Sequence, residues 1–534
     1  MKNIIITISI FVFSVAITLN LSAQSADKSD WAGGYPEGCT SITVGKNASF
    51  DGSVITSHTD DSHRTRSWID IIPARHHSKG EKVIMYKRVK NDSLAMPAYG
   101  HKEVGSIPQV SYTNGYINTA YPSLNDKQLG IGESTFGGRE ELQSDAGIID
   151  CQRLCLLMLE RESTARGAIK VAGELLKEYG WNDYGEVLTI ADKNEVWHLE
   201  IVGPGKGKVG AVWVAQRVPD GHISVNANAS TIKQINLKDE DHFLASDNVY
   251  DVAKENGWWN PKEEFYFCYA YAPHSRTSPA SRRREWRVFN LLAPSLGLDP
   301  NDKDYPFSVK PDTLVTLENL MNVFKDYYEG TPFDMTKNLT VTDKEGKTVI
   351  SPLASPHMPY DANNLHKING GWGPLGERTI ARWYTMYATI IQLRNWLPDE
   401  IGGVEWLAMD NVATSIYVPI YGCVTDLPEP YKTPGRINGY TMNSAWWIFN
   451  RLGTLTSQRW GEMRHDVDAV WEPMQLKLIE NQKNIDSQAL DLYKENKKDA
   501  IEFLNYYSNE QGEKVMKEAI KLGDFLWTKY DEKF

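Results

Sequence analysis

The chain has 534 residues, of which 41% are hydrophobic and 24% charged, and its net charge is -12. These proportions are ordinary for a globular protein, and the length suffices for one large core or for two to three smaller ones. No block of Lys and Arg interrupts the acidic balance, so nucleic acid is excluded as an expected partner.

The N-terminus has the pattern of a secretion signal. Lys2 is followed by the apolar run IIITISIFVFSVAITLNL and by the small residues LSA ahead of Gln24, which predicts a signal peptide over residues 1–23. The run is long enough to remain as an uncleaved anchor, but the small-residue site favours removal. No later stretch reaches the roughly 18 apolar residues of a membrane span. We therefore expect a secreted or periplasmic protein with no stable membrane span after signal removal.

Strands are predicted next along the chain. Residues 24–38, QSADKSDWAGGYPEG, are small, polar and Gly-rich, and are interpreted as a disposable propeptide. Two strands, CTSITVG and SVITSHT, then flank a turn that contains Asp-Gly. Helical periodicity with a break near Ser163 covers residues 146–179. Further along, EVLTIA and EVWHLEIVG flank DKN as a second predicted hairpin, and two more strands are predicted at VGAVWVAQRV and HISVNAN.

After residue 275 the pattern becomes helical. The predicted helices are SRRREWRVFNLLAP, RTIARWYTMYATIIQLRNWL and most of residues 443–530. Strands thus dominate the N-terminal half, with one helical layer inserted and another following. This order predicts an α+β fold rather than alternating βαβ units.

The chain has five cysteines, an uneven count, so disulfides within the chain would leave at least one thiol unpaired if the protein is exported. Cys151 and Cys155 lie four residues apart on an amphipathic helix and indicate core packing rather than a redox or metal pair. Cys268 and Cys423 lie among aromatic residues and are expected to be buried as well. Cys39 is left in a polar setting and is the candidate reactive thiol. It lies too far beyond the apolar run to be a lipoprotein cysteine.

The first hairpin is predicted to place an imidazole and two carboxylates beside Cys39. If Gly45 and Ser53 bracket the turn, antiparallel pairing puts Cys39 opposite Thr59. The residues returned to the thiol are then His58, Asp60 and Asp61.

Two mechanisms fit this arrangement. In one, His58 deprotonates Cys39 as a conventional pair. In the other, the chain is cut between Gly38 and Cys39 and the freed α-amine, which titrates near 7.7 to 8.0, becomes the base. The disposable propeptide and the small glycine favour the second mechanism. A purely structural cysteine is the third interpretation.

The stretch CTSITVGKNASFDGSVITSHTDD resembles the opening of the cysteine-type dipeptidases, the dipeptidase A and secernin group of the N-terminal-nucleophile hydrolases. The blocks LGIGEST, WHLEIVG, RTIARWYTMYATIIQLRNWLP and SIYVPIYG follow in the family's order. The resemblance implies an αββα sandwich, autocatalytic removal of the leader, and Cys39 as nucleophile with its own α-amine as base. It assigns residues 39–425 to the catalytic domain and 426–534 to a helical region packed on that domain.

The resemblance also implies roles for other residues. By similarity to the choloylglycine and penicillin V acylases, Asp61 holds the α-amine. The position of a family arginine falls on His58, a departure because histidine is not reliably cationic at pH 7. An oxyanion-binding asparagine maps to Asn226 or Asn228, with Asn228 preferred by spacing. A structural arginine maps best to Arg284.

Substrate binding requires a carboxylate if the substrate is a free dipeptide, because its ammonium must be held. Glu133 and Asp60 are the candidates for this role. His198 and Glu200 share a strand face but lack a third ligand at a telling spacing, so we expect no metal and no cofactor.

The predicted function is hydrolysis of dipeptides or short peptides outside the cytoplasm. Small peptides are the expected partners, and a homo-oligomer is compatible with the sequence. The alternative within the same chemistry is an N-acyl amide hydrolase, which needs an apolar slot instead of charged groups. Aromatic clusters such as GWWNPKEEFYFCYAYAP leave a carbohydrate-binding protein as the alternative from another class. With 69 acidic residues, a glycosidase carboxylate pair also stays open.

Overall fold

The computed structural model describes residues 38–62, 64–91, 98–356 and 377–533. The predicted signal peptide and all but the last residue of the predicted propeptide lie outside the described residues. The described strands are β1 (Gly38–Val44), β2 (Val54–Asp61), β3 (Asp70–Ile72), β4 (Arg75–His76), β5 (Lys82–Asn91), β6 (Ala98–Pro108), β7 (Tyr112–Thr113), β8 (Tyr116–Asn118), β9 (Leu124–Asn125), β10 (Gly130–Gly137), β11 (Gly185–Ala191), β12 (Val196–Val202), β13 (Val212–Arg217), β14 (Ile223–Asn226), β15 (Phe243–Ala245), β16 (Ser308–Val309), β17 (Thr340–Thr342), β18 (Thr348–Ile350), β19 (Thr385–Leu393), β20 (Gly403–Met409) and β21 (Val418–Tyr421). The described α-helices are α1 (Cys151–Arg161), α2 (Ala165–Tyr179), α3 (Asp251–Glu255), α4 (Phe267–Tyr271), α5 (Pro279–Leu292), α6 (Leu317–Phe324), α7 (Asp399–Gly402), α8 (Glu429–Lys432), α9 (Ala445–Gln458), α10 (Trp460–Glu495) and α11 (Lys497–Tyr530).

Two large antiparallel sheets form the centre of the protein. The strand order is β16-β14-β1-β2-β19-β20-β21 in the first sheet and β15-β13-β12-β11-β10-β9-β8-β3 in the second. The sheets pack face to face, since the hydroxyl oxygens of Thr56 and Thr189 are 2.7 Å apart and Ser41 donates to the Glu133 carbonyl over 2.8 Å. Strand β1 lies in the middle of the first sheet, so the side chains that it directs to the second sheet are enclosed.

Helices cover the outer faces of both sheets. On the second sheet, α2 packs so closely that a Cβ at Gly173 would lie 2.6 Å from the Trp213 ring. On the first sheet, α9 and α11 contact β20 and β21, and the Tyr421 hydroxyl donates to Asp486 of α10 over 2.8 Å. Because the main sheets are antiparallel and the helices form separate layers, the predicted α+β class is confirmed. The domain boundaries stay predictions.

Most elements predicted from the sequence are present. The two predicted hairpins are β1 with β2 and β11 with β12. The helix break near Ser163 separates α1 from α2, and Thr164 caps α2 by accepting from the Gly167 nitrogen. The late helical pattern corresponds to α9, α10 and α11. None of the described helices is both long and apolar enough to cross a membrane.

One predicted helix is wrong. The segment RTIARWYTMYATIIQLRNWL contains strand β19, which pairs with β2 on one side and β20 on the other. All nine residues of Thr385–Leu393 are buried. A strand covered on both faces shows a continuous apolar run instead of alternation, so its sequence cannot be told from a buried helix by periodicity.

The predicted register of the first hairpin is also wrong, by one residue. Cys39 lies opposite Asp60, not Thr59. The bracketing residues do not pair, because the Gly45 nitrogen donates to the His222 carbonyl over 2.9 Å and the Ser53 carbonyl accepts from Ser49 over 2.7 Å. Directly opposed residues share a face, so this register places the Asp60 carboxylate beside the thiol.

Candidate active site

Cys39 lies near the start of β1, at the wall of a cavity of about 890 Å³. The residue is 4% exposed, and its thiol donates a hydrogen bond to Glu133 Oε2 over 3.1 Å. Burial raises the pKa of the thiol well above its ordinary value, and the neighbouring charges of Glu133, Asp60 and Asp61 raise it further. In this uncleaved form the thiol is therefore protonated and requires a base before it can react.

The backbone of Cys39 is held at both ends. Its nitrogen donates to Asn228 Oδ1 over 3.2 Å, and its carbonyl accepts from Arg284 Nη1 over 2.7 Å. Arg284 also donates to Asn228 Oδ1 over 2.8 Å. Burial, and next the charge of Arg378, lower the pKa of Arg284 to about 9. Asn228 and Arg284 thus fix the reacting residue as one hydrogen-bonded unit.

Local sequence explains these positions. Asn228 follows β14 with φ of +58°, a left-handed conformation that asparagine tolerates better than most residues. Helix α5 begins with Pro279 at its first turn, and Ser281 donates to the Asn228 carbonyl over 3.1 Å. The alternative Asn226 pairs with Ser41 and donates to the Ala229 carbonyl. The structure brings Asn228, rather than Asn226, to the Cys39 nitrogen.

Asp61 ends β2 opposite Gly38. It forms an ion pair with Arg378 and accepts from the Thr385 hydroxyl over 2.6 Å. A Cβ at position 38 would lie 2.6 Å from Asn228 Oδ1 and 3.3 Å from an Arg378 nitrogen. Glycine is therefore the residue that fits before Cys39.

His58 lies two pairs along from Cys39, opposite Ser41. Its ring nitrogens are 3.1 Å from the Tyr387 hydroxyl and 3.0 Å from the Thr389 hydroxyl. Burial lowers the pKa of His58 to about 3, so the ring is neutral. The structure does not bring His58 to the thiol, and it supplies no cation at this position.

A second carboxylic acid, Glu186, is linked to Glu133 through the Thr135 hydroxyl. Thr135 Oγ1 lies 3.0 Å from Glu133 Oε1 and 2.8 Å from Glu186 Oε1. Burial, and next the charge of Glu133, raise the pKa of Glu186 well above its ordinary value. Ligand atoms of Glu133, Glu186 and Cys151 lie within 4.8 Å of one another, so these three residues could hold a metal ion. A proton shared by the two carboxyls accounts for the same arrangement without a metal.

Asp60 is the acid that faces the cavity beside Cys39. It is 1% exposed and accepts from the Thr65 hydroxyl over 2.7 Å. Charged groups of both signs line the same cavity. They are Asp60, Asp61, Glu140, Glu141, Asp145, Asp150, Asp183, Glu186, Lys87, Arg88, Lys90 and Lys206.

The sequence profile of peptidase family C69 matches residues 38–473. The chain belongs to this family. The resemblance stated from the opening motif is thereby confirmed, and the protein is a peptidase.

Similar proteins agree with the family. A probable dipeptidase of Latilactobacillus sakei is 27% identical over 489 residues, which cover 88% of this chain and 91% of the relative. Dipeptidase A of Lactobacillus helveticus is 25% identical over 439 residues, covering 80% and 84%. Probable dipeptidase B of Lactococcus lactis is 26% identical over 415 residues, covering 74% and 76%.

Sequence reasoning missed three contributors to the site. Arg378 and Thr385 hold Asp61, and Glu186 stands behind Glu133 through Thr135. Arg378 and Thr385 fall within or beside the block that had been predicted as a helix, so no strand placed them next to β2. Glu186 begins the predicted strand EVLTIA, and no motif in that stretch distinguished it from other strand residues.

Proposed function

We propose that this peptidase is an exported dipeptidase of the N-terminal-nucleophile type, with an αββα catalytic fold and Cys39 as the nucleophile. Cleavage after Gly38 frees the Cys39 α-amine. The observation that carries the proposal is the position of Cys39, held at its nitrogen by Asn228 and at its carbonyl by Arg284, in the wall of a charged cavity. The family match, which begins at residue 38, adds support.

In the freed form the α-amine is the base. It titrates near 7.7 to 8.0 in model compounds and is attached to the residue that carries the thiol. The Cys39 proton passes to the amine, Sγ attacks the scissile carbonyl, and the departing amino acid takes the proton back. Water then hydrolyses the thioester that remains on Sγ. Asn228 Oδ1 accepts from the Cys39 nitrogen, and Asp61 lies across the ladder from Gly38.

The cavity supports a dipeptide as the proposed substrate. A dipeptide carries an ammonium and a carboxylate close together, and the cavity presents both carboxylates and cations. An acyl chain would require an apolar wall. The names of the relatives, dipeptidase and probable dipeptidase, point to the same substrate. We assign the ammonium to Asp60, which lines the cavity. We assign the oxyanion to Asn228 Nδ2, the donor atom of a side chain that adjoins the nucleophile; one of its two hydrogens is directed to the Thr135 carbonyl over 2.6 Å.

Export rests on residues 1–23, which lie outside the described residues. A leader that is removed in two stages, first the signal and then residues 24–38, is consistent with a cysteine that becomes active only after transport.

N-terminal sequencing and intact mass of the mature, active protein test the proposal. The expected chain begins at Cys39 and hydrolyses dipeptides. A fully active enzyme beginning at Gln24 would refute the α-amine mechanism, because its Cys39 nitrogen would still be acylated.

A further inference from the structure

The uncleaved chain poses a problem that the mature mechanism does not solve. Before cleavage, the Cys39 nitrogen is part of the peptide bond to Gly38 and is a hydrogen-bond donor to Asn228. It has no free electron pair to accept a proton. The thiol itself is buried, and its pKa is raised. The first cleavage therefore needs a different base from every later turnover.

The geometry points to Glu133, and we propose that its carboxylate accepts the Cys39 proton during self-cleavage. This inference rests on the proposed function. Glu133 Oε2 is the atom to which the thiol donates, over 3.1 Å. Both ring nitrogens of His58 are bonded to side chains of β19. Asp60, on the same face as Cys39, accepts from the Thr65 hydroxyl.

The acid pair keeps Glu133 ready to act as a base. The Thr135 hydroxyl has one proton but contacts oxygens of both Glu133 and Glu186. One carboxyl must therefore donate to the threonine while the other accepts from it. Two adjacent buried carboxyls share a single charge, since both cannot ionise. Glu133 accepts from the Cys39 thiol at Oε2 and from the Thr135 hydroxyl at Oε1. Hydrogen bonds donated to both oxygens stabilise the charged form, so Glu133 carries the charge and Glu186 holds the proton.

The cleavage then balances as follows. Glu133 takes the thiol proton, and Sγ attacks the Gly38 carbonyl carbon through a five-membered ring. The Gly38–Cys39 bond breaks, Glu133 returns its proton to the departing nitrogen, and a Gly38–Sγ thioester forms. Water hydrolyses the thioester, which releases the leader as a carboxylic acid and restores the thiol. The new α-amine is now nearer in the chain to Sγ than any other base, so Glu133 acts as the base once.

A time course of self-cleavage in the full chain tests this assignment. Wild type, Glu133→Gln and a matched control, Glu405→Gln, are synthesised in a cell-free system and followed by intact mass. Glu405 is also fully buried in the first sheet, but it accepts from Ser123, away from the thiol. Loss of general-base help predicts at least a hundredfold slower cleavage in Glu133→Gln and an unchanged rate in Glu405→Gln.

The pH profile separates a base from a structural residue. With Glu133 as the base, the wild-type rate reaches a plateau once this carboxyl is ionised. In Glu133→Gln the rate should instead climb about tenfold per pH unit up to pH 9, because the thiol must ionise unaided. Titratable groups also interact with Glu133 from the surrounding elements. They are Cys39, Arg88, Tyr121, Cys151, Glu186 and Tyr387; Asp60 interacts in turn with Cys39, and Asp183 with Glu186.

The outcomes are distinguishable. Wild type that never cleaves after Gly38 would overturn the proposed function. Wild type that cleaves, with Glu133→Gln within threefold of it or retaining its plateau, would overturn only the role of Glu133. Once the Glu133→Gln chain is cleaved, its loss in kcat per mole of chain beginning at Cys39 should be smaller than its loss in the rate of self-cleavage. An equal loss in both steps contradicts a single use. If Glu133→Gln fails to fold, Glu133→Asp must keep the plateau, and its absence overturns the assignment.

Discussion

Blocking the substrate amine should slow this enzyme by about a hundredfold. The perturbation is acetylation of a dipeptide, which removes the positive charge and leaves the scissile bond unchanged. Asp60 is the carboxylate assigned to that charge, since it lies opposite Cys39 on the same face, is 1% exposed and lines the cavity. With the acetylated substrate bound, Asp60 would lose the ion pair with the substrate ammonium.

The magnitude follows from the cost of losing this ion pair. Removing one partner of a desolvated pair costs about 3–5 kcal/mol. The lower end applies here, because a cavity of about 890 Å³ whose lining includes charged side chains of both signs admits water that partly replaces the ammonium. At 1.36 kcal/mol per tenfold, about 3 kcal/mol corresponds to roughly two orders of magnitude in kcat/KM.

The assay compares one dipeptide with its acetylated form on the processed enzyme and on Asp60→Asn. The ratio of kcat/KM values should be about a hundred in wild type and should approach one in Asp60→Asn, with the free dipeptide losing most. Glu133 was the other carboxylate predicted to bind the ammonium. A collapse of the ratio in Glu133→Gln, with Asp60→Asn unaffected, would return the role to Glu133.

Equal rates on both substrates would refute the reasoning. A preference for the acetylated form would move the protein to the N-acyl amide hydrolases, which was the alternative from the sequence.

Three further predictions follow from the structure. Cys39→Ala should abolish both self-cleavage and dipeptide hydrolysis, and the intact mass should retain the residues before position 39; any residual cleavage at that bond contradicts Cys39 as the nucleophile. Gly38→Ala should slow self-cleavage, because its Cβ would lie 2.6 Å from Asn228 Oδ1, whereas Gly221→Ala, with no atom within 4 Å of the added Cβ, should cleave at the wild-type rate. Burial raises the pKa of Glu405 to about 8. Between about pH 4.5 and 8 this carboxyl therefore keeps its proton in the folded state and loses it in the unfolded state, so the free energy of unfolding falls as the pH rises through this window. Glu405→Gln should therefore gain in Tm relative to wild type from pH 5 to pH 8, and a difference independent of pH would contradict a raised pKa.

Part of the fold could be predicted because local patterns were strong. The Asp-Gly turn between two β-rich runs identified β1 and β2, and the broken amphipathic pattern identified α1 and α2. Strand β19 could not be predicted because burial on both faces removes the alternation that marks a strand. The hairpin register shifted by one residue because the ends of its turn bond elsewhere, Gly45 to His222 and Ser53 to Ser49.

The site was predictable only where a motif carried it. Cys39, Asn228 and Arg284 were found from motifs and family spacing, and the structure places them in mutual contact. The Glu133–Glu186 pair depends on register between β10 and β11, where Thr135 lies opposite Glu186. A sequence gives no measure of such cross-strand distances, so this pairing became visible only in the structure.

The position of β19 in the sequence determines how late in synthesis the site around Asp61 can form. Strand β2 carries Asp60 and Asp61, yet its second neighbour in the sheet comes from Thr385–Leu393. Until those residues leave the exit tunnel, β2 is an open edge, and Asp61 lacks both Arg378 and Thr385. Pairing across more than 300 positions is slow to form because a long loop must close first. A nascent or truncated chain that stops before Arg378 therefore contains Cys39, Asn228 and Arg284 but lacks both residues that hold Asp61, and it should keep its leader.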